Sequence, residues 1–247
     1  MYHLSGVTKH YRRGGELVQA LDGVGFSVPD GTALAVQGPS GAGASTLLRI
    51  LGGLERPTRG SVLLDGTDLA MVTASRLGRI RAESIGLLGA GDGDHPGPLA
   101  GSAVRQGVAA ALVPLGLRPA DRWELAGDAL AEVGLSDQGD LLPGQLDAYA
   151  RRRAALARAL VKRPAVLLAD RPTEGLPPAA RADFAALLVR VWGAYRLTCV
   201  IATDDEDLAG RATRRLVLAG GRVTAVVRVA GTGRDGPAAW CPRGAGR

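Results

Sequence analysis

The sequence predicts an α/β fold: a mixed central sheet carrying a phosphate-binding loop, with an N-terminal antiparallel β subdomain and a helical subdomain. Three observations predict it. Residues 38–46 read GPSGAGAST between the apolar run Ala33-Leu34-Ala35-Val36 and the apolar stretch 47–51, the strand, glycine loop and helix order that such a loop requires. Residues 165–169 are wholly apolar and end in Asp170, and residues 198–203 repeat that parallel-strand character. Between 104 and 160, Ala and Leu recur at helical spacing, over 104–112, 120–133 and 147–160.

The remaining elements follow in order. Three short apolar runs, Leu4 to Val7, Leu17 to Leu21 and Val24 to Val28, are separated by turn signals and read as antiparallel strands. Tyr11 ends the first run, either as an aromatic that stacks on a base or as a half-buried loop residue. A strand and turn follow at 60–66, and another strand at 85–88 leads into the glycine-dense loop 89–98. Helix 178–192 precedes strand 198–203 and the acidic cluster Asp204-Asp205-Glu206-Asp207, which can cap the next helix. A hairpin, 215–218 and 223–229, closes the domain at residue 229. Residues 230–247, rich in Gly, Pro and Arg, are expected to form a disordered basic tail.

In the loop, successive backbone N–H groups meet a polyphosphate at a helix N-terminus, where the helix dipole also favours an anion. Gly38, Gly41 and Gly43 stand where a side chain would block that approach or forbid the backbone angles. Pro39, Ser40, Ala42 and Thr46 complete the cradle, and Ser45 offers its hydroxyl to a magnesium ion. The pattern calls for lysine before that serine, to neutralise the β- and γ-phosphates. This chain has Ala44.

The 247 residues suffice for one large α/β domain, and 46% hydrophobic with 22% charged residues is ordinary for a globular protein. The net charge of +6 is dispersed, and only Lys9 and Lys162 among the 30 basic residues are lysines. Without a dense basic patch, nucleic acid is not expected as a partner. The longest apolar stretch, 108–117, is broken by Pro114 and too short to span a bilayer. The N-terminus has no apolar core of signal-peptide length, and Cys199 and Cys241 lie in unlike contexts, so a cytosolic chain with reduced thiols is expected.

Four ordered stretches carry a family resemblance: LSGVTKHY (4–11), GPSGAGASTLLRILGGLERPTRGSVLLDG (38–66), ALARALVKRPAVLLADRPT (155–173) and TDDEDLAGRATRRLVLAGGRV (203–223). Over residues 2–229 the chain resembles the nucleotide-binding subunits of ABC transporters, most closely those of lipoprotein-release and macrolide-type exporters. The resemblance implies a P-loop NTPase fold of ABC type with a helical subdomain at about 95–160. It also implies ATP and Mg2+ as ligands, with Asp170 and Ser45 at the metal and Tyr11 against the adenine. The partners it implies are a transmembrane permease subunit and a second nucleotide-binding subunit, in a homodimer or heterodimer. It places the chain peripherally on the cytoplasmic face of the membrane.

The functional positions depart from that pattern. Ala44 replaces the loop lysine, and Arg171 replaces the glutamate that polarises water, a role a guanidinium cannot take. Asp204 replaces the switch histidine, Pro177 an aspartate, and Ala90 or its neighbour a glutamine. The signature LSGGQ becomes Leu146-Asp147-Ala148-Tyr149-Ala150, with Asp147 also well suited to cap the following helix. Arg151, Arg152 and Arg153 read as a solvated helix face. The expectation is weak nucleotide binding without hydrolysis; a non-enzymatic scaffold and an ATPase using substituted groups are the alternatives. Arg171 and Asp204, of opposite charge, are expected to pair across the vacated γ-phosphate position.

Overall fold

The computed structural model describes residues 1–89 and 101–229. The loop grows from a six-stranded sheet made of β3 (Ala33–Gln37), β6 (Ile85–Leu88), β7 (Val166–Asp170), β8 (Thr198–Ala202), β9 (Arg214–Ala219) and β10 (Arg222–Arg228). Their order across the sheet is β10-β9-β3-β8-β7-β6. All neighbours run parallel except the hairpin of β9 and β10 at one edge. Successive residues of the inner strands serve two separate cores. Ala33, Ala35, Leu167, Ala169, Cys199 and Ile201 enter one, while Leu34, Val36, Val166, Leu168, Val200 and Ala202 enter the other. Burial on both faces explains why these runs are apolar throughout instead of alternating with polar residues.

A second sheet covers one of those faces. It consists of β1 (Tyr2–Arg13), β2 (Glu16–Val28), β4 (Arg59–Leu64) and β5 (Thr67–Asp68), in the order β2-β1-β4-β5. Helix α1 (Ala44–Leu51) lies between the sheets and buries Leu47, Leu48, Ile50 and Leu51. The three short strands expected before residue 29 are two long ones. Gly6, inside the first expected strand, and Gly23, between the second and third, have positive φ and fall where the β1–β2 register shifts, so the chain bulges and pairing continues.

The opposite face is covered by helices. After α2 (Ala74–Ser84) come α3 (Val104–Ala110), α4 (Pro119–Glu132) and α5 (Ala148–Leu160), then α6 (Pro178–Tyr195) and α7 (Glu206–Arg211). Helix α2 has no counterpart in the sequence reading, and α6 continues three residues beyond the predicted end. Its stop is Arg196 in the left-handed region (φ 50°), whose N–H returns to the Gly193 carbonyl. The helices from 104 to 160 form the middle of the chain as expected. The loop 90–100, with Ala90, and the expected tail 230–247 lie outside the described residues.

The arginine run of α5 is not a solvated face. Arg152 is 1% exposed, and its Nη2 donates to the Glu174 carbonyl at 3.0 Å. Its Nε and Nη1 have no hydrogen-bond partner among the described residues. Arg153 donates to the Val133 and Gly134 carbonyls just beyond α4, and Arg151 to the Leu146 carbonyl. Packing of α4 and of the segment after β7 against α5 buries Arg152 and half-buries Arg151 and Arg153. A buried guanidinium with two bare nitrogens carries an uncompensated desolvation cost. Arg152→Met is therefore expected to raise the unfolding free energy by about 1 kcal/mol or more, seen as a higher urea midpoint at unchanged slope.

Candidate functional site

Three strand ends meet at the loop. Val36 of β3 and Asp170 of β7 both stand in register with Ala202 of β8. The Arg171 N–H donates to the Ala202 carbonyl (2.8 Å), and the Thr203 N–H donates to the Val36 carbonyl (3.1 Å). These contacts bring the segments after β3, β7 and β8 to one crevice at the C-terminal edge of the parallel strands, where α/β sheets place ligands. The crevice is a cavity of about 400 Å3. Gly38, Pro39, Ser40, Gly41, Ala42, Gly43, Ala44, Ser45 and Thr46 all line it, together with Ala20 of β2 and with Arg171, Thr203 and Asp204.

Two loop glycines are demanded by the protein itself. A Cβ on Gly38 would lie 2.3 Å from the Leu218 carbonyl oxygen, and one on Gly43 would lie 2.3 Å from that of Ala20. Gly43 also adopts φ 102° as the residue preceding α1, with no side-chain cap on the helix N-terminus. Close approach to β9 and β2 thus fixes the loop whether or not a phosphate occupies it. Ala44, at the first turn of α1, packs partly against the core between the sheets.

The Ser45 hydroxyl donates to Asp170 Oδ1 at 3.0 Å, so the two residues expected at a metal are brought together across 125 positions of sequence. Burial pushes the Asp170 carboxyl above the usual carboxylate range, while the Ser45 hydrogen bond and the Arg171 charge oppose that shift. A hydroxyl and a desolvated carboxylate are oxygen donors of the kind a hard divalent cation takes, and the pair fits magnesium.

Arg171 and Asp204 face the same cavity, but the expected ion pair between them is not the one formed. The Arg171 guanidinium pairs with Glu174 at 3.1 Å, an exposed contact three residues along the chain. Asp204 acts on it only as a further nearby charge. The reason is local: Arg171 sits in the left-handed region (φ 45°), and the Glu174 N–H closes a turn onto its carbonyl, bringing the two side chains together. Glu174 was legible only as an Arg/Glu pair at a spacing of three, too common a pattern to single out.

The ABC transporter family pattern matches residues 21–174. The lipoprotein-releasing system ATP-binding protein LolD 1 of Rhodospirillum rubrum is 38% identical over 223 residues, covering 90% of this chain and 96% of that protein. The LolD protein of Bordetella avium is 39% identical over 224 residues, covering 90% and 93%. The chain belongs to the ABC transporter family. Its fold agrees: the dimeric structure of the ATP-binding cassette MJ0796 bound to ADP and Pi superposes with a TM-score of 0.85 at 28% identity, covering 94% of this chain and 100% of that one.

The remaining family positions have found local partners. Tyr11 lies outside the cavity lining, linked to it through Thr46. Its hydroxyl donates to Glu55, which also pairs with Arg49 (2.6 Å) and Lys9 (3.4 Å), and the Lys9 ammonium sits 5.1 Å from the ring centroid. In the signature segment, Tyr149 packs edge-on against Phe184 (6.4 Å) under the Arg153 guanidinium (4.6 Å). Asp147 caps α5, accepting from the Ala150 N–H at 2.6 Å. Of the acidic cluster, Asp205 is the residue that caps α7, accepting from the Asp207 and Leu208 N–H groups. Sequence reasoning passed over Glu55 and Lys9, which carry no motif.

Two outcomes follow from these contacts. Asp147→Ala is expected to cost about 1 kcal/mol of stability through loss of the cap, whereas Asp147→Ser, which keeps an acceptor, stays near wild type in chemical denaturation. The raised Asp170 carboxyl penalises the folded state once it ionises, so the penalty is present at neutral pH and absent when the group is protonated. Asp170→Asn is thus expected to melt above the wild type at pH 7. The gap should begin to close above the usual carboxylate range, as the pH falls through the raised folded-state value, and be gone below the ordinary one in thermal melts.

Proposed function

We propose that this chain is the nucleotide-binding subunit of a membrane-transport complex that holds ATP weakly and does not hydrolyse it. The observation that carries the reading is the wall of the cavity. A phosphate-binding loop of intact backbone shape surrounds about 400 Å3 of open space, with Ser45 and Asp170 in contact beside it. The position after Asp170, which in the family holds the residue that orients water, is Arg171. A guanidinium stays protonated and accepts no proton, and Asp204 across the cavity adds a carboxylate where a γ-phosphate would need a donor.

Absence of a phosphate cation at Ala44 weakens binding by about tenfold to several hundredfold, on a Coulomb term of about 1–4 kcal/mol. Weakened binding is compatible with a loop whose N–H groups and helix dipole remain in place. The open cavity supports this reading over a scaffold with a closed relic pocket. The membrane association rests on the similar ATP-binding proteins of lipoprotein-releasing and methionine import systems. A transmembrane permease subunit is the proposed partner, with a second nucleotide-binding subunit, identical or different, completing a dimer like those of the similar cassettes. The proposed site is the cytoplasmic face of the membrane. Among the described residues, no helix is long and apolar enough to cross a membrane.

Calorimetry with ATP and ADP, with and without magnesium, tests the reading. Saturable binding in the micromolar to low-millimolar range is expected, with no magnesium-dependent phosphate release. Ala44→Lys should tighten ATP binding by about tenfold or more while leaving turnover absent. Turnover by the wild type, or no binding at millimolar nucleotide, would overturn it.

A further inference from the structure

Among the described residues that line the cavity, Arg171 brings a positive charge and Asp204 a negative one. We infer that Arg171 is the phosphate-binding cation of this pocket, supplied from the end of β7 in place of the lysine missing at the start of α1. The inference rests on the nucleotide-binding reading above and adds to it the residue that holds the polyphosphate.

Three features support the assignment. Arg171 lines the same cavity as the loop, so its charge and the loop N–H groups can act on one ligand. Its backbone is fixed, held at φ 45° by the bond from its N–H to Ala202 and by the turn closed through Glu174, so the side chain starts from a defined point. The guanidinium is not committed to the fold. It is 43% exposed and pairs with a carboxylate that is itself 51% exposed, a solvent-screened contact that a polyphosphate can displace. A guanidinium presents a planar fork of donors that matches two phosphate oxygens at once, which suits a site where the cation approaches from the side.

Glu174 then becomes a competitor. In the ligand-free protein it holds the guanidinium that the phosphate needs, and each molecule of ligand must take Arg171 away from it. Asp204 and Asp170 also act on Arg171 without pairing with it, and both oppose an incoming anion unless a divalent cation accompanies it. Neutralising Glu174 should therefore favour the ligand, whereas neutralising Arg171 should disfavour it. The opposite signs of the two effects distinguish a phosphate cation from a residue that merely fills space.

The test measures binding of ATP and of inorganic tripolyphosphate to the full chain and to Arg171→Ala, Arg171→Lys and Glu174→Gln, each checked for an unchanged melting temperature. Arg171→Ala is expected to weaken both ligands by about tenfold or more, and to flatten the salt dependence of tripolyphosphate binding. Arg171→Lys should recover part of the loss, and Glu174→Gln should bind both ligands a few times more tightly than the wild type. Equal or tighter binding by Arg171→Ala, with the wild type binding ATP, would overturn this assignment and leave the nucleotide reading standing. Failure of the wild type to bind either ligand would overturn both.

Discussion

The pocket depends on two backbone contacts that have no room for a side chain. Gly38 lies against the Leu218 carbonyl of β9, and Gly43 against the Ala20 carbonyl of β2. These contacts clamp the loop between the central sheet and the N-terminal sheet, and α1 buries its apolar face in the core between them. The loop's shape is thus a consequence of packing, with a favourable term of the size expected from burying whole Leu and Ile side chains, about 1.5–3 kcal/mol each. A phosphate cation contributes nothing to that clamp. Ala44 packs on the same core, so the frame stands without a lysine there.

The same separation of frame from chemistry recurs elsewhere. Asp147 caps α5, Tyr149 packs on Phe184 beneath Arg153, and Asp205 caps α7. Each has a local structural partner. Arg171 differs, because its one ion pair is exposed and its guanidinium remains at the edge of the cavity. Asp204 is likewise exposed on the cavity wall. The charges facing the loop are therefore the part of this site least tied to the fold, and the part in which a ligand's charge will be felt most.

Asp170 and Arg152 show the cost of charge inside the molecule in two ways. Asp170 is desolvated at a strand end but keeps the Ser45 donor and two nearby cations, Arg171 and Arg49, so its carboxyl is shifted without being orphaned. Arg152 is buried among helices with a single carbonyl for its five donors. The first arrangement offers oxygen donors of the kind a hard divalent cation takes. The second has no ligand-facing geometry and stands as a load that the surrounding apolar contacts offset.

The sequence by itself determined the elements whose physics is local. The loop between its strand and helix, the apolar runs of β3, β7 and β8, the cap at Asp147 and the family were all legible, because each depends on neighbours within a few residues. Tertiary structure decided what depends on distant segments. It joined Ser45 to Asp170, made bulges of Gly6 and Gly23 within two long strands, and buried Arg152 in what read as a solvated face. It also gave Arg171 to Glu174 instead of Asp204. Pairing of charges is set by backbone direction at the end of a strand, and a left-handed residue there cannot be read from composition or spacing.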